Sequence, residues 1–247
     1  MRIEYVGHAT VTIDLDGVRL LTDPVLRNRV AHLKRRGRVD NDALRGIDAV
    51  LVSHGHFDHL DLPSLEKLGK ELPVVVPAGL GGLLRQKRFR SVLEVREGET
   101  FQIGGVNVRA VPAEHASTRG PLGASGDALG YVVEGSRSVY FAGDTDLFEG
   151  MDEIGTVDVG LIPIWGWGPT LGRGGHLDPQ RAAEAVRRIA PRTAIPIHWG
   201  TYFPLHLGLR RLPAFLDTPP LEFVVAVAET APDTVVRVLQ PGEQAEL

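Results

Sequence analysis

Short stretches near the start of the chain alternate between apolar and polar residues. Residues 11–15 follow this alternation, Asp16-Gly17 comes next, and the mostly apolar run 18–21 follows it. A period of two is typical of a half-buried strand, and Asp-Gly between two such runs is a strong hairpin signal. We therefore predict that residues 3–22 form strands joined by turns.

Continuous apolar runs predict buried strands further along the chain. The run 48–53 is short, mostly apolar and β-branched at Val50 and Val52, which is typical of a strand covered on both faces. Further strands are predicted at 73–76, 92–111, 138–143, 193–197, 222–228 and 234–239. Residues 25–46 show no periodicity, and we predict a loop there.

Two helices have clear start signals. Leucines recur at helical spacing behind Asp61, and apolar residues within 182–189 recur at helical spacing behind Asp178-Pro179. Aspartate is a favoured N-cap and proline a favoured first-turn residue, so we predict helices that begin after Asp61 and Asp178. The second helix is predicted to end before Pro191.

The segment between the strand 48–53 and the first helix carries the candidate chemistry. His54, His56, Asp58 and His59 follow the predicted strand directly, and open α/β sheets place their sites at the carboxyl ends of strands. Histidines two residues apart point the same way in extended backbone and can share a metal ion, and the next two groups can face a second ion. Burial of all four groups is costly without a metal or hydrogen bonds. The alternative interpretation is a solvated polar turn.

This His-x-His-x-Asp-His motif after a hydrophobic strand resembles the metallo-β-lactamase superfamily. The resemblance implies an α/β fold, namely a four-layer αβ/βα sandwich in which two mixed sheets are flanked by helices and a dinuclear metal site lies between the sheets. It also implies three further ligands, each after a strand, and the chain offers His115, Asp144 and His198. Residues 1–247 are expected to form one such domain.

The resemblance also implies how the ligands are shared between two divalent ions. The ligands implied for the first ion are His54, His56 and His115. The ligands implied for the second ion are Asp58, His59 and His198, and Asp144 bridges the two. His8 and Asp23 are expected to contact these ligands. Imidazole and carboxylate favour Zn²⁺, with Mn²⁺ or iron as alternatives, and thiolate ligands are excluded because the chain has no cysteine.

Further segments are similar to one branch of the superfamily, which contains N-acylphosphatidylethanolamine-hydrolysing phospholipase D and the ascorbate-6-phosphate lactonase-like proteins. These segments are 7–11, 21–25, 140–145, 176–179 and 197–201. The branch implies a hydrolase in which a hydroxide between the two ions attacks a phosphodiester. In the alternative, the same site opens a lactone or ester of a small substrate. A non-catalytic metal-binding protein is a third hypothesis, and the complete ligand set argues against it.

Three residues are candidates for proton transfer. Asp58 or Asp144 is expected to orient the attacking hydroxide and take its proton. His176 follows two glycines and precedes the N-cap Asp178; by resemblance it lines the substrate pocket, where it would contact the scissile group or protonate the leaving group. It is not expected to bind metal, and its alternative role is a loop histidine that bonds a helix end. His32 and His206 are expected to be surface or loop histidines.

Charge and hydropathy narrow the classes of partner. The net charge of −4 argues against a generic nucleic-acid binder. The chain starts without an apolar signal-peptide core and contains no apolar run that could span a bilayer, so a cytoplasmic location is expected. A small anionic substrate is expected. Most of the basic residues between 27 and 38 are expected to form a solvated loop, and the alternative is a basic lip that attracts such a substrate.

Two segments of the chain are rich in glycine, and two other pairs of segments resemble each other. Segments 116–128 and 165–176 are expected to lie beside the metals, the first as a flap and the second with Trp165 and Trp167 in a pocket wall or the core. The segment 18–23 resembles 138–144, and 47–54 resembles 157–163, in the order of apolar and acidic positions. This internal similarity favours two related halves that face each other.

Overall fold

The computed structural model describes residues 1–116, 126–165, 175–205 and 216–247. The strands of these residues are β1 (Arg2–Gly7), β2 (Thr10–Leu15), β3 (Val18–Thr22), β4 (Arg29–Val30), β5 (Leu33–Arg35), β6 (Ala49–Leu51), β7 (Val74–Pro77), β8 (Val92–Val95), β9 (Thr100–Ile103), β10 (Val106–Pro112), β11 (Leu129–Glu134), β12 (Ser138–Phe141), β13 (Val159–Pro163), β14 (Thr193–Ile197), β15 (Tyr202–Pro204), β16 (Val235–Val236) and β17 (Glu243–Glu246). The helices are α1 (Leu62–Leu68), α2 (Gly81–Gln86), α3 (Pro179–Ile189) and α4 (Pro219–Thr230).

Within the described residues, two 7-stranded sheets have the same internal arrangement. The first has the order β17-β1-β2-β3-β6-β7-β8, and the second, read from its opposite end, has the order β9-β10-β11-β12-β13-β14-β16. In each sheet the first three pairs are antiparallel and the last three are parallel. The first pair of similar segments forms β3 and β12, and the second pair forms β6 and β13. Each pair occupies equivalent positions in the two sheets, so the predicted relation between two halves is confirmed.

The two sheets pack face to face and the helices cover their outer faces. In the first sheet, Leu20 and Leu51 belong to the core shared with the second sheet. Their neighbours Leu21 and Val50 point the other way, into a smaller cluster with residues of α1 and α2. Alternating burial of this kind follows from the period of two along a strand. The α3 helix packs against β13 and α4, so the four-layer α/β sandwich is confirmed.

Local sequence signals placed several elements correctly. Asp16-Gly17 joins β2 to β3 in an antiparallel pair, and the helix predicted after Asp61 is α1. The helix predicted after Asp178 is α3, and in both helices the aspartate carboxylate accepts a hydrogen bond from a first-turn backbone N–H. None of the described helices is long and apolar enough to cross a membrane.

One strand prediction was wrong, one was too long, and one loop prediction was incomplete. Residues 222–228 lie in α4, which starts at a proline pair. Phe223 and Val227, four residues apart, are buried on one face of this helix. The valine-rich run favoured a strand by propensity, but helix packing overrode it. In the segment 234–239 only Val235–Val236 is strand. Residues 25–46, predicted to be loop, contain β4 and β5, which form a small sheet with β15.

Two fully buried tyrosines on neighbouring strands give a matched pair for a test of this packing. The Tyr131 hydroxyl donates a hydrogen bond of 2.8 Å to the Val52 carbonyl, whereas the buried Tyr140 hydroxyl has no partner among the described residues. We predict that Tyr131→Phe lowers the free energy of unfolding by about 1 kcal/mol, while Tyr140→Phe leaves it unchanged or raises it by about 1 kcal/mol. Urea unfolding of both variants measures the difference, and equal losses would contradict the prediction.

Candidate metal centre

The residues that the sequence singles out lie at the ends of strands. His8 follows β1, Asp23 follows β3, Asp144 follows β12 after two residues, and His198 follows β14. The motif 54–59 lies between β6 and α1. Because the parallel strands of a sheet end at one edge, their loops bring these side chains together. His115 follows β10 after two residues, so every ligand predicted from the sequence follows a strand.

The loop that carries the motif is fixed at its far end by Asp61, which is 2% exposed. Its carboxylate accepts hydrogen bonds from the backbone N–H and the hydroxyl of Ser64 and forms an ion pair with Arg27. An N-cap that also holds an arginine restricts where α1 can begin. The histidines just before the helix are thereby held in place.

Three imidazoles form the first cluster. The ring atom Nδ1 of His56 lies 3.0 Å from Nε2 of His54 and 3.1 Å from Nε2 of His115. One ligand atom from each of the three residues lies within 4.8 Å of the others. Three nitrogen atoms that converge in this way can hold one divalent ion.

The second cluster contains Asp58, His59 and His198, together with His8. One ligand atom from each of these residues again lies within 4.8 Å of the others. The Asp58 side chain is 21% exposed, whereas those of His59 and His198 are buried. The carboxylate is therefore the group in this cluster that solvent can reach.

Asp144 lies between the clusters. Its Oδ2 atom is 3.2 Å from Nε2 of His59, and its Oδ1 atom is 3.2 Å from Nε2 of His198. It also forms a metal-capable group with His115 and His176. Both oxygens thus approach imidazoles of the second cluster, and the grouping with His115 brings the same carboxylate to the first cluster, as expected of a bridging ligand.

Asp23 and His8 contact the candidate ligands from behind. Asp23 is fully buried and accepts hydrogen bonds from Nδ1 of His59 (2.6 Å), from the Ser53 hydroxyl (2.5 Å) and from the Ser53 backbone N–H (2.7 Å). His8 Nε2 lies 3.2 Å from Oδ2 of Asp58. A carboxylate on the outer nitrogen of an imidazole fixes its orientation and leaves the other nitrogen facing inward.

Sequence reasoning missed a third supporting chain, which holds His115. Nδ1 of His115 lies 2.6 Å from the Gly175 carbonyl, and the Gly175 N–H donates to Asp146 at 3.1 Å. Asp146 is in turn paired with Arg181 of α3. The Asp144-Thr145-Asp146 pattern was visible in the sequence, but the contact with Arg181 spans 35 positions and had no local signal.

Backbone strain is concentrated at the same place. His8, Asp23 and His198 have φ values of 60°, 33° and 65°, in the left-handed region that residues other than glycine rarely adopt. The His8 carbonyl accepts the His198 N–H at 2.7 Å, so the two strained residues hold each other. Such strain persists only where the surrounding structure determines it, and it is typical of functional sites.

The electrostatics favour neutral imidazoles and ionised carboxylates, which are the forms that bind metal. Burial lowers the pKa of His54 and His198 well below the ordinary value and lowers the pKa of His56 to about 4. Burial opposes ionisation of Asp144, but the imidazoles of His198 and His59 hold its pKa well below the usual range. Each of these groups is therefore ready to ligate near neutral pH.

His59 is the exception among the candidate ligands. Burial alone lowers the pKa of His59, but the carboxylates of Asp144 and Asp23 raise it well above its ordinary value. The pocket thus favours a positive charge at this position. Nε2 of His59 and Oδ1 of Asp144 are buried without hydrogen-bond partners among the described residues. A cation between these groups satisfies both requirements, so the residues fit divalent metal ions.

The remaining candidates lie at different distances from the centre. His176 Nε2 is 3.3 Å from Oδ2 of Asp144, so it belongs to the site. His32 is exposed on the turn between β4 and β5, as expected, whereas His206 lies outside the described residues. Trp165 is buried in the core, and Trp167 is outside the described residues. Most of the segments 116–128 and 165–176 is likewise not described.

Only some of the basic residues between 27 and 38 are solvated. Arg35 is 5% exposed and donates to the Val6 and Val25 carbonyls, so the expectation of a solvated side chain there was wrong. It also lies over the Tyr202 ring at 5.0 Å. Arg27 is paired with Asp61 and Arg36 with Asp217. Long-range carbonyl and carboxylate partners of this kind leave no trace in the local sequence.

Comparison with known proteins identifies a protein family. The family model described as the beta-lactamase superfamily domain matches residues 18–199 of this chain. A UPF0173 metal-dependent hydrolase of Methanopyrus kandleri is 35% identical over 255 aligned residues, which cover 100% of each chain. The N-acyl-phosphatidylethanolamine-hydrolyzing phospholipase D 1 of Caenorhabditis elegans is 32% identical over 226 residues, which cover 80% of this chain and 63% of that protein.

Solved structures show the same fold. Igni18, described as a metallo hydrolase of the archaeon Ignicoccus hospitalis, superposes with a TM-score of 0.75 at 24% identity, and the match covers 99% of this chain and 97% of that one. This likeness concerns the arrangement of the sheets and helices.

The buried Asp23 network can be tested by one amide substitution. Asp23→Asn keeps the size of the side chain and tolerates the left-handed backbone, but it turns one accepting oxygen into a donor that faces Ser53 and His59. We predict a loss of about 3 kcal/mol in the free energy of unfolding, measured in urea with a chelator present. The exposed Asp233→Asn is the matched control and should change stability by less than about 0.5 kcal/mol. Equal effects would contradict a supporting role for Asp23.

Proposed function

This chain belongs to the family of the beta-lactamase superfamily domain, and we propose that it is a metal-dependent hydrolase that acts on a phosphodiester through two divalent ions. The single observation that carries the proposal is the pair of ligand clusters joined by Asp144. Relatives that match the chain along its whole length are named metal-dependent hydrolases, which supports the reaction class.

In this proposal the site residues divide into two groups of ligands. His54, His56 and His115 would hold one ion. Asp58, His59 and His198 would hold the other, and Asp144 would be shared between them. When bound, two such ions lower the pKa of water and stabilise the negative charge that develops on the scissile group. Zn²⁺ suits this set of nitrogen and oxygen ligands, and Mn²⁺ or iron would suit it as well.

Asp58 is the proposed acceptor of the proton of the attacking water. Its carboxylate is the partly exposed member of its cluster, so a water that approaches from solvent meets it first. The hydrogen bond from His8 and the positive field around it hold the pKa of Asp58 well below the usual range although burial opposes this. His8 therefore serves as a positioning residue that keeps the carboxylate ionised and oriented.

His176 is the proposed donor of a proton to the leaving oxygen. Its side chain is 20% exposed, and its ring packs edge-on against that of His115 with centroids 4.6 Å apart. Burial lowers the pKa of His176, but the hydrogen bond and charge of Asp144 outweigh this and raise it. A raised pKa favours the protonated imidazole, which is the form that a general acid needs.

Two observations bear on the choice of substrate. The similarity to a protein named as a phospholipase D supports phosphodiester cleavage. An ester or lactone is the second candidate, because Arg27, Arg35 and Arg36 are engaged with partners of this chain and contribute less to the capture of an anion than free cations would. The same ligands serve either reaction, since both place negative charge on an oxygen in the transition state.

The number of ions is the first test. We predict that protein saturated with zinc and then desalted retains two ions per chain by elemental analysis. His56→Ala removes one of three nitrogens from the first cluster and should retain one ion. The exposed His32→Ala is the matched control and should retain both. Retention of both ions by His56→Ala would show that the first group of ligands is wrong.

The reaction class is tested with bis(p-nitrophenyl) phosphate, a p-nitrophenyl ester and a γ-lactone, each given to zinc-loaded protein. We predict the highest kcat/KM with the phosphodiester. His176→Ala should retain both ions. On an alkyl phosphodiester, whose alkoxide leaving group needs a proton, it should lose roughly a hundredfold in kcat/KM, the usual size of a general-acid contribution.

The outcomes of this test separate the hypotheses. Higher activity on the lactone or ester would replace the phosphodiester proposal by the second candidate. Loss of an ion from His176→Ala would make His176 a ligand, and an unchanged rate would remove it from the chemistry. No turnover of any substrate by protein that holds two ions would contradict the proposed reaction.

A further inference from the structure

His8 and His198 form a contact pair between the two sheets, beside the second ligand cluster. His8 follows β1 of the first sheet, and His198 follows β14 of the second. The His198 N–H donates to the His8 carbonyl at 2.7 Å, and the centroids of the two rings are 3.9 Å apart. Both residues have left-handed backbone, with φ values of 60° and 65°. Two residues in a costly conformation thus support each other across the sheets.

The Thr201 hydroxyl holds this pair from one side. Thr201 is fully buried. Its Oγ1 atom accepts a hydrogen bond of 2.8 Å from the His8 backbone N–H and donates one of 3.1 Å to the Trp199 carbonyl. The regular pairing of β1 with β2 shifts between Tyr5 and Gly7, just before His8. A buried backbone N–H needs an acceptor, and for His8 this side chain supplies it.

The surroundings of Thr201 leave its hydroxyl little freedom. The Tyr5 hydroxyl donates to the same Trp199 carbonyl at 2.9 Å, and the Tyr5 ring stacks on that of Trp199. Gly7 has a φ of 126°, and a Cβ atom there would lie 2.9 Å from both Cγ2 and Oγ1 of Thr201. Glycine therefore allows the close approach of Thr201 to the backbone that leads into His8.

Both histidines of the pair reach carboxylates of the metal centre. Nε2 of His8 lies 3.2 Å from Oδ2 of Asp58, and Nε2 of His198 lies 3.2 Å from Oδ1 of Asp144. The backbone contact between the histidines thus relates the positions of Asp58, from the first sheet, and His198, from the second. These are two of the three residues that form the second group of proposed ligands.

The first group of ligands is held through other contacts. Nδ1 of His54 lies 2.9 Å from the Ser53 hydroxyl, and Nδ1 of His115 lies 2.6 Å from the Gly175 carbonyl. These supports come from the strand before the motif and from the segment before α3. A change at Thr201 should therefore act on one cluster and spare the other.

We propose that Thr201 is a positioning residue for the second ion. Its hydroxyl fixes the backbone of His8, and His8 in turn places the Asp58 carboxylate and the His198 imidazole. The proposal rests on the proposed function for the division of the ligands between two ions. It predicts that the affinity for one ion depends on a hydroxyl group that contacts none of the proposed ligands itself. Groups that support ligands in this way commonly change metal affinity when they are removed.

The test measures the two zinc dissociation constants by competition with a chelator. Thr201→Val keeps the size and branching of the side chain but removes the acceptor of the His8 N–H. We predict that one of the two affinities falls by roughly tenfold to a hundredfold, while the other stays within about threefold of the wild-type value. Thr201→Ser keeps the hydroxyl and should restore the weakened affinity to within about threefold of wild type.

A second buried threonine provides the matched control. Thr12 on β2 is fully buried, and its hydroxyl has no hydrogen-bond partner among the described residues. Thr12→Val makes the same chemical change and should keep both zinc affinities. Tyr5→Phe removes the other hydrogen bond to the Trp199 carbonyl and should weaken the same ion as Thr201→Val. It serves as the test if circular dichroism shows that Thr201→Val is unfolded.

Two backgrounds identify the ion that is affected. His56→Ala protein should keep the ion of the second group of ligands, so the addition of Thr201→Val should weaken that ion by the same factor as in wild type. His198→Ala protein lacks a ligand of the second group, so Thr201→Val should change the affinity for its remaining ion by less than about threefold. A larger loss in that background would show that Thr201 supports the whole centre and would overturn the proposal.

Failure of this proposal and failure of the proposed function are distinguishable. Wild-type affinities for both ions in Thr201→Val would overturn the proposal even if bis(p-nitrophenyl) phosphate is cleaved. A loss that Thr201→Ser does not restore would also overturn it, because the shape of the side chain would then matter and the hydroxyl would not. A selective loss that serine restores, in protein that cleaves no phosphodiester, would retain the role of Thr201 and reject the reaction.

Discussion

A buried carboxylate between imidazoles is the constraint on which the rest of the structure depends. Asp144 is 3% exposed, and the nitrogens of His59 and His198 approach its two oxygens to 3.2 Å. Removal of a carboxylate from water is costly unless opposite charge or hydrogen bonds replace the solvent. The surrounding elements meet that requirement by converging ring nitrogens on it from strand ends of both sheets. A cation at this point is the partner that would satisfy the carboxylate and the unpaired nitrogen of His59 together.

The equivalence of the two sheets explains where the site residues come from. β1 and β10 occupy matching positions in their sheets, as do β3 and β12. His8 follows β1 and His115 lies beyond β10, while Asp23 and Asp144 lie beyond β3 and β12. At these equivalent positions the second half supplies the candidate ligands His115 and Asp144. The first half supplies Asp23, which holds His59, and His8, which bonds Asp58. A single strand-end geometry, present twice, provides both the ligands and their supports.

The sequence predicted those parts of the structure whose cause is local. The Asp16-Gly17 hairpin, the N-caps at Asp61 and Asp178 and the strand before His54 depend on a few adjacent residues. The helix at 219–230 was missed because its valines satisfy a strand by propensity, and only packing against α3 decides between the two. Arg35 and Asp146 were missed for a different reason. Their partners lie far along the chain, and local pattern carries no information on such contacts.

The same long-range contacts determine how the centre responds to metal. The field of Asp144 and Asp23 raises the pKa of His59 well above its ordinary value, so metal-free protein carries a proton where the ligand set calls for a cation. A metal ion must displace that proton, and its apparent affinity therefore rises with pH. Asp23 and Asp146 lie outside the two groups of proposed ligands, yet they hold His59 and His115 in place before any ion arrives. The geometry of the centre is thus largely set by folding, so metal binding gains affinity from a site that is already ordered.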